Sequence, residues 1–260
     1  MIPEWHEILL LILGGLLSGF LNTVASSGSA ISLPLLVYVG LPAIEANATN
    51  RIPLLLGLIT ATISFQKKKL IPWPLAKKLA LPIIIGTIVG CLFITKMSDF
   101  QIHILLTFAL IMSVVLITTG ANSFLKSLSL LQVHTLDLLA YAIAFALGIW
   151  GGLIVLDIGT LTLFFLVLYM RYDLITSNAI KVVLVLMVAV ISTIFYGLDG
   201  DINWGVGLTL AIGSITGSYL GARFTTQNKS VKFIYGILVF MISSEVLIAI
   251  IKLLKYKNLI

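Results

Sequence analysis

The sequence predicts an all-α, polytopic membrane protein made of two internally homologous halves. Three observations predict it. The chain of 260 residues is 60% hydrophobic and only 10% charged, where a soluble domain averages about 25% charged residues. Apolar runs of helical length succeed one another from end to end. The pattern of the first half also returns in the second at a constant offset. A soluble fold this apolar would have no surface to offer water, and lipid is the solvent that removes the difficulty. The formal charge of +6 reads as loop lysines meeting anionic headgroups. No basic patch interleaved with aromatics points to nucleic acid.

A membrane-spanning helix needs about 20 mostly apolar residues. Runs near 7–25, 48–66, 78–95, 101–120, 136–155, 180–196, 205–222 and 233–251 meet or approach that length. Met1 to Glu7 has no basic stretch, so the first run reads as a membrane segment and not as a cleaved signal. Two further runs, 30–40 and 160–170, are short. At about 1.5 Å per residue each covers only about half of the hydrocarbon core. The first follows the polar break Ser26-Ser27-Gly28-Ser29 and the second follows Asp157-Ile158-Gly159-Thr160. Both read as half-helices after an unwound turn. The expectation is about eight spanning helices plus these broken segments.

The two breaks correspond. Sliding the chain by 131 residues puts Gly28 on Gly159, Asn47-Ala48 on Asn178-Ala179, and Thr62-Ile63 on Thr193-Ile194. Ile71 and Trp73 fall on Ile202 and Trp204, and Gly86 and Gly90 on Gly217 and Gly221. Matches among Gly, Asn and Trp at one offset indicate a duplication, a hallmark of secondary transporters. The organisation expected is a repeat over 1–122, a linker over 123–135 and a second repeat over 136–260.

Charge suggests how the halves face. The loop Gln66-Lys67-Lys68-Lys69, with Lys77-Lys78, is basic, whereas its counterpart Asp199-Gly200-Asp201 is acidic. Basic short loops stay cytoplasmic, so the two loops belong on opposite sides and the repeats read as inverted. Inversion puts Lys67, Lys68, Lys69, Lys77, Lys78, Lys126, Arg171, Lys181, Arg223, Lys229 and Lys232 inside. It leaves Lys252, Lys255 and Lys257 outside. A parallel arrangement, with each broken segment as one crossing, is the alternative.

Polar groups in a bilayer are costly, which makes their positions informative. Asn47, Asn50 and Arg51 share one helix face, and Asn178 and Lys181 take the positions of Asn47 and Asn50 in the second half. Helix starts and free backbone N–H groups favour anions, and a neighbouring cation adds to that preference. The functional reading is a central anion site lined by Ser26, Ser27, Gly28, Ser29, Asn47, Asn50, Arg51, Gly159, Thr160, Asn178 and Lys181. The competing reading has the two cations snorkelling to headgroups and the asparagines capping helices. Asp157 is read either as a proton carrier or ion-pair partner, or as a cap for the half-helix after it.

Other residues give weaker signals. Glu245 lies deep in the last run beside Ser243 and Ser244, where the first half has Val114. His6, His103 and His134 read as interfacial, and His134 with Asp137 is too little for a metal site. Cys91 is the one cysteine and reads as a small core residue. Small-xxx-small spacings among Gly14, Gly15, Gly19, Gly86, Gly90, Gly148, Gly151, Gly152, Gly217 and Gly221 signal close helix packing. Trp73 and Trp204 suit an interfacial belt. No nucleophile elbow, zinc-protease motif or P-loop is present.

The chain resembles the TauE/SafE family of sulfite and organosulfonate exporters. The residues that carry the resemblance are Ser18-Gly19-Phe20 through Ser26-Ser27-Gly28-Ser29, Leu33-Pro34-Leu35-Leu36, and Glu45-Ala46-Asn47-Ala48-Thr49-Asn50. Gly86-x-x-x-Gly90 and Gly217-x-x-x-Gly221 follow Trp73 and Trp204 in the same order. The resemblance covers almost the whole chain. It implies a multi-pass plasma-membrane permease for small sulfur-containing or carboxylate anions, coupled to an ion gradient. No cofactor or metal is expected from the residues. Family members carry a run of glycines at the first break. Here Gly28 stands among serines, and Asp157 precedes Gly159, which puts sulfite itself in question. A passive anion channel of the same fold and a membrane-embedded enzyme remain the alternatives. The lone Asp157 argues against the enzyme. A homo-oligomer is compatible with the sequence.

Overall fold

The computed structural model describes residues 5–26, 28–94, 97, 136–154, 157–227 and 236. Among these residues the chain is helical with no strand. The first half carries α1 (Trp5–Val24), α2 (Ser29–Tyr38), α3 (Ala43–Thr49), α4 (Arg51–Lys67) and α5 (Trp73–Ile94). The second carries α6 (Leu138–Leu153), α7 (Ile158–Phe164), α8 (Leu174–Leu198) and α9 (Trp204–Thr225). α7 continues through one π-helical turn, Phe165–Tyr169. Five stretches among the described residues are long and apolar enough to cross a membrane: Trp5–Val24, Ile44–Lys67, Trp73–Ile94, Leu174–Leu198 and Trp204–Thr225. The expected runs at 101–120 and 233–251, the linker 123–135, Ser27, His103, Lys126, His134, Glu245 and the lysines from 229 onward lie outside the described residues.

Both short runs are short helices, as their lengths predicted. α2 doubles back along α1. A Cβ on Gly14 would meet Leu35, and one on Gly28 would meet the Ser18 carbonyl and Asn22. Leu11 packs with Leu36, Val39 and Leu41, so α2 returns to the end where α1 began. From that end α3 and α4 carry the chain across to Lys67. α5 brings it back, placing Cys91 with Ala48 and Ile52.

The second half starts from the other end. Asp137 caps α6 by accepting the Ala140 N–H at 2.8 Å, and it also accepts the Tyr169 hydroxyl at 2.7 Å. α7 and its π turn thus return to the end where α6 began. Leu136, Tyr169 and Tyr172 pack on the cluster that holds Phe65, Ile71 and Leu75. Asp173 caps α8 through the N–H groups of Ile175 and Thr176, both at 3.0 Å. α8 then runs to the first end, where Tyr196 and Ile202 join Ala48 and Cys91. Asn203 caps α9 by accepting the Val206 N–H at 3.2 Å. α9 crosses back to Thr226, which accepts a hydrogen bond from Lys68.

The long helices pair across the halves. α1 runs parallel to α9: a Cβ on Gly213 would sit 1.9 Å from the Ile12 carbonyl oxygen, and one on Gly217 would sit 1.9 Å from the Leu16 oxygen. α5 runs parallel to α6 in the same manner. A Cβ on Gly86 would lie 2.1 Å from the Phe145 oxygen, and one on Gly152 would lie 2.4 Å from the Thr87 oxygen. Lipid tails are as apolar as leucine, so helices in a bilayer gain from close backbone approach, and glycine permits it. Ser214 and Ser218 add polar contacts, donating to the Pro53 oxygen at 2.7 Å and the Gly19 oxygen at 3.1 Å.

The two ends differ in charge. Glu7, Glu45, Asp199 and Asp201 stand at the end where α1 begins. Lys67, Lys68, Lys69, Lys77, Lys78, Arg171 and Arg223 stand at the other and outnumber Asp137 and Asp173 there. Lys181, which the charge count placed in a basic loop, lies instead inside α8 and is buried.

Candidate functional site

The two breaks meet in the interior. A Cβ on Gly159 would sit 2.7 Å from the Ser26 Cβ and 3.1 Å from its Oγ, so only glycine lets the start of α7 press on the first break. Ser26 and Asp157 are related by the 131-residue offset, and both hold the left-handed backbone conformation, with φ of 69° and 59°. That conformation is uncommon for residues other than glycine and is concentrated at functional sites. The same backbone feature therefore recurs in both halves at the point where the helix is interrupted.

Each interruption exposes the carbonyl end of a helix, and a cation from the opposite half covers it. Lys181 on α8 donates to the carbonyl oxygens of Asn22 at 2.9 Å and Thr23 at 3.3 Å, the last turn of α1. Arg51 on α4 donates to Gly151 at 3.1 Å and Gly152 at 3.4 Å, the last turn of α6. Helix C-termini carry partial negative charge and unpaired carbonyls, so both cations meet favourable partners there. The Arg51 guanidinium also lies 4.3 Å from the centre of the Tyr196 ring. The Tyr196 hydroxyl donates to Gly152 and Leu153, each at 3.3 Å. Arg51 is 0% exposed and Lys181 1%, so neither snorkels to the headgroups.

The asparagines do not act as simple caps. Asn178 lies inside α8, fully buried, and its amide nitrogen donates to the Val24 oxygen at 3.2 Å. Asn50 stands at the junction of α3 and α4 and donates to the Ser29 Oγ at 3.3 Å, which ties α4 to the start of α2. Asn47 is half-buried on α3, so its match to Asn178 does not extend to burial. Asp157 occupies the position before α7 without a side-chain cap to it. Among the expected residues the structure thus gathers Ser26, Gly28, Ser29, Asn50, Arg51, Asp157, Gly159, Thr160, Asn178 and Lys181 around the paired breaks. Asn47 stands apart.

Several buried polar atoms at this crossing have no hydrogen-bond partner among the described residues: the Ser26 and Thr160 hydroxyls, the Arg51 Nε and the Asn178 amide oxygen. Buried polar groups are normally satisfied, and exceptions call for a ligand or water. The hydroxyls and the Nε can donate to an oxyanion, and the amide oxygen can accept from a hydroxyl or water. A cavity of about 170 Å³ lies elsewhere, at the acidic end beside Glu7, Glu45 and Asn203. Among the described residues no group of His, Cys, Asp and Glu could hold a metal ion.

Two contributors escape the sequence reading. Asn22 accepts the Gly28 N–H at 2.9 Å with its side chain while its own carbonyl accepts Lys181. A polar residue inside the apolar run 7–25 was the available signal. Tyr196 gave none, because an aromatic in an apolar helix reads equally well as facing lipid.

Comparison with known proteins agrees with this architecture. The family model for sulfite exporter TauE/SafE matches residues 11–246. "Probable membrane transporter protein ORF9" of a Sinorhizobium species is 21% identical over 235 residues, covering 90% of this chain and 89% of the relative. "Probable membrane transporter protein" of Haemophilus influenzae is 24% identical over 222 residues, covering 83% and 84%. No solved structure matches the chain. By its match over most of its length, the chain belongs to the sulfite exporter TauE/SafE family of membrane transporters.

Proposed function

We propose that this membrane transporter carries small oxyanions, sulfite and organosulfonates foremost, through the crossing of its two interrupted helices. The observation that carries the reading is the set of buried groups at that crossing with no partner among the described residues, Ser26 Oγ, Thr160 Oγ1 and Arg51 Nε, beside two fully buried cations. Hydrogen-bond donors with excess positive charge in a low-dielectric interior attract an oxyanion strongly. The halves 1–122 and 136–260 act as an inverted pair. In support, α1 and α6 start from opposite ends and each packs on a helix of the other half. Rocking of one half against the other would open the crossing to each side in turn. Basic loops stay cytoplasmic, which puts the end bearing Lys67 to Lys69 inside a plasma membrane. Asp157 is the candidate for linking the flux to protons.

The test is uptake of radiolabelled sulfite and small sulfonates by proteoliposomes holding the purified protein, with and without an imposed pH gradient. Saturable, gradient-dependent flux that the double variant Asn50→Ala, Lys181→Ala abolishes is the expected result. Flux that is linear in concentration and indifferent to the gradient would instead identify a channel of the same fold. No flux of any of these anions would end the oxyanion reading.

A further inference from the structure

Asn178 brings to the crossing a group unlike its neighbours. The carbonyls of Asn22, Thr23 and Val24 end α1, and two side chains of α8 meet them. Lys181 donates to Asn22 at 2.9 Å and Thr23 at 3.3 Å, and Asn178 Nδ2 donates to Val24 at 3.2 Å. Residues three apart on a helix share a face. A carbonyl can only accept, so the Val24 oxygen fixes which way round the Asn178 amide stands. The amide nitrogen meets the helix end and the amide oxygen is turned off it. That oxygen belongs to a side chain 0% exposed and has no partner among the described residues. From Val24 the chain runs on to Ser26, whose hydroxyl is unmet in the same sense. Gly159 presses on Ser26, and Thr160, with the second unmet hydroxyl, is the next residue. The two hydroxyls can donate or accept, and the lysine N–H groups only donate. Asn178 Oδ1 only accepts.

We propose, resting on the transport reading above, that the substrate is an oxyanion that also carries a hydroxyl donor, and that Asn178 selects for that hydroxyl. An anion that offers acceptor oxygens alone satisfies the Ser26 and Thr160 hydroxyls but leaves Asn178 Oδ1 without a donor. A polar group held away from water and left unmet is costly, and more so in a bilayer interior. A substrate O–H aimed at Oδ1 removes that cost. An ammonium donor would set a second cation close to Lys181, where like charges repel strongly, so the donor that fits is a neutral hydroxyl. Among organosulfonates, those with a hydroxyl on the carbon chain are therefore favoured over plain alkanesulfonates.

The experiment supplies 2-hydroxyethanesulfonate and 1-propanesulfonate, each with its own radiolabel, as one equimolar mixture to proteoliposomes, with uptake by protein-free vesicles subtracted. Both are singly charged and have the same number of non-hydrogen atoms, so the probes differ by a hydroxyl against a methyl. The ratio of their uptake rates in one mixture is a ratio of kcat/KM and does not depend on how much protein is folded. The native protein should favour the hydroxyl anion by at least about tenfold, the effect of leaving one buried acceptor unmet. Asn178→Leu removes the acceptor at similar volume and should bring the ratio close to one. Asn178→Asp keeps an acceptor oxygen and should keep the preference at reduced flux. A role for Asn178 confined to holding α1 would lower both fluxes in these variants and leave the ratio unmoved. Equal native rates, as a water seated on Oδ1 would give, or a native preference that Asn178→Leu leaves intact, would overturn the hydroxyl proposal and leave the transport reading standing. If Asn178→Leu gives no flux, Asn178→Asp decides: retention of the preference supports the proposal and its loss overturns it. Uptake of neither anion by the native protein would overturn both.

Discussion

Replacing Gly213 by alanine puts the packing argument at risk most sharply. Ordinary van der Waals contact begins at 3.4 Å, and the new Cβ would sit 1.9 Å from the Ile12 carbonyl oxygen, so α1 and α9 must part by about 1.5 Å. The obstacle is backbone, which cannot rotate away as a side chain can. Overpacking of this kind costs about 1–3 kcal/mol. Against it stands the better helix propensity of alanine, about 1 kcal/mol in favour. The net expectation is destabilisation by up to about 2 kcal/mol. Gly197→Ala on α8 is the internal control. Its Cβ would meet only Trp204 at 3.5 Å and Ile202 at 3.8 Å, so the propensity gain should stand and the variant should be neutral or slightly stabilised. Thermal unfolding of both variants in one detergent gives the comparison. Shifts of the same sign in the two would refute the claim that α1 and α9 are held by backbone contact at glycine.

Other consequences follow from single contacts. Arg51→Met removes two charge-assisted hydrogen bonds from the end of α6 and should lower stability by about 2–4 kcal/mol, readable as a lower midpoint in denaturant. Arg51→Lys should recover only part of this, since one ammonium cannot reproduce the planar fork that meets both carbonyls and the Tyr196 ring. Asn203→Ala deletes the cap of α9 and a bond to Glu45 at 3.3 Å, with an expected loss of about 1 kcal/mol. At the acidic end, burial and then the charges of Asp199 and Glu45 push the Asp201 carboxyl above its usual range. The folded protein therefore keeps that proton to higher pH than the unfolded chain does. Asp201 costs no stability below the ordinary carboxylate value and costs progressively more as pH rises through its raised one. Asp201→Asn should accordingly flatten the decline of the unfolding midpoint as pH rises above the ordinary carboxylate value of about 4.

Much of the architecture was legible in the residues because lipid imposes strong rules. The length of an apolar run decides whether it can span, which is why 30–40 and 160–170 stood out and emerge as α2 and α7. The offset that joins Gly28 to Gly159 located both interruptions. It could not show that they touch, since the Ser26 and Gly159 contact joins residues far apart in sequence. The candidate site was legible as a set of polar residues in apolar runs. The partners were not, because they are main-chain carbonyls, which every residue carries alike. Lys181 looked like a loop cation or an anion ligand, and its contacts with Asn22 and Thr23 follow from α1 ending where it does. Asn47 and Asn178 differ in burial: Asn47 lies on the short α3, which ends before Asn50, whereas Asn178 lies inside the unbroken α8.

Thiol labelling tests most directly whether substrate passes the crossing of the two breaks. Thr160→Cys in a Cys91→Ser background puts a single thiol at the unpartnered Thr160 hydroxyl position. A membrane-impermeant thiosulfonate reagent is then applied to oriented vesicles from each side, with and without methanesulfonate, which does not react with the reagent. Labelling from both sides, slowed at least severalfold by the anion, is the predicted result. A thiol that reacts at the same rate whether or not the anion is present, or reacts from neither side, would contradict a substrate path through this crossing.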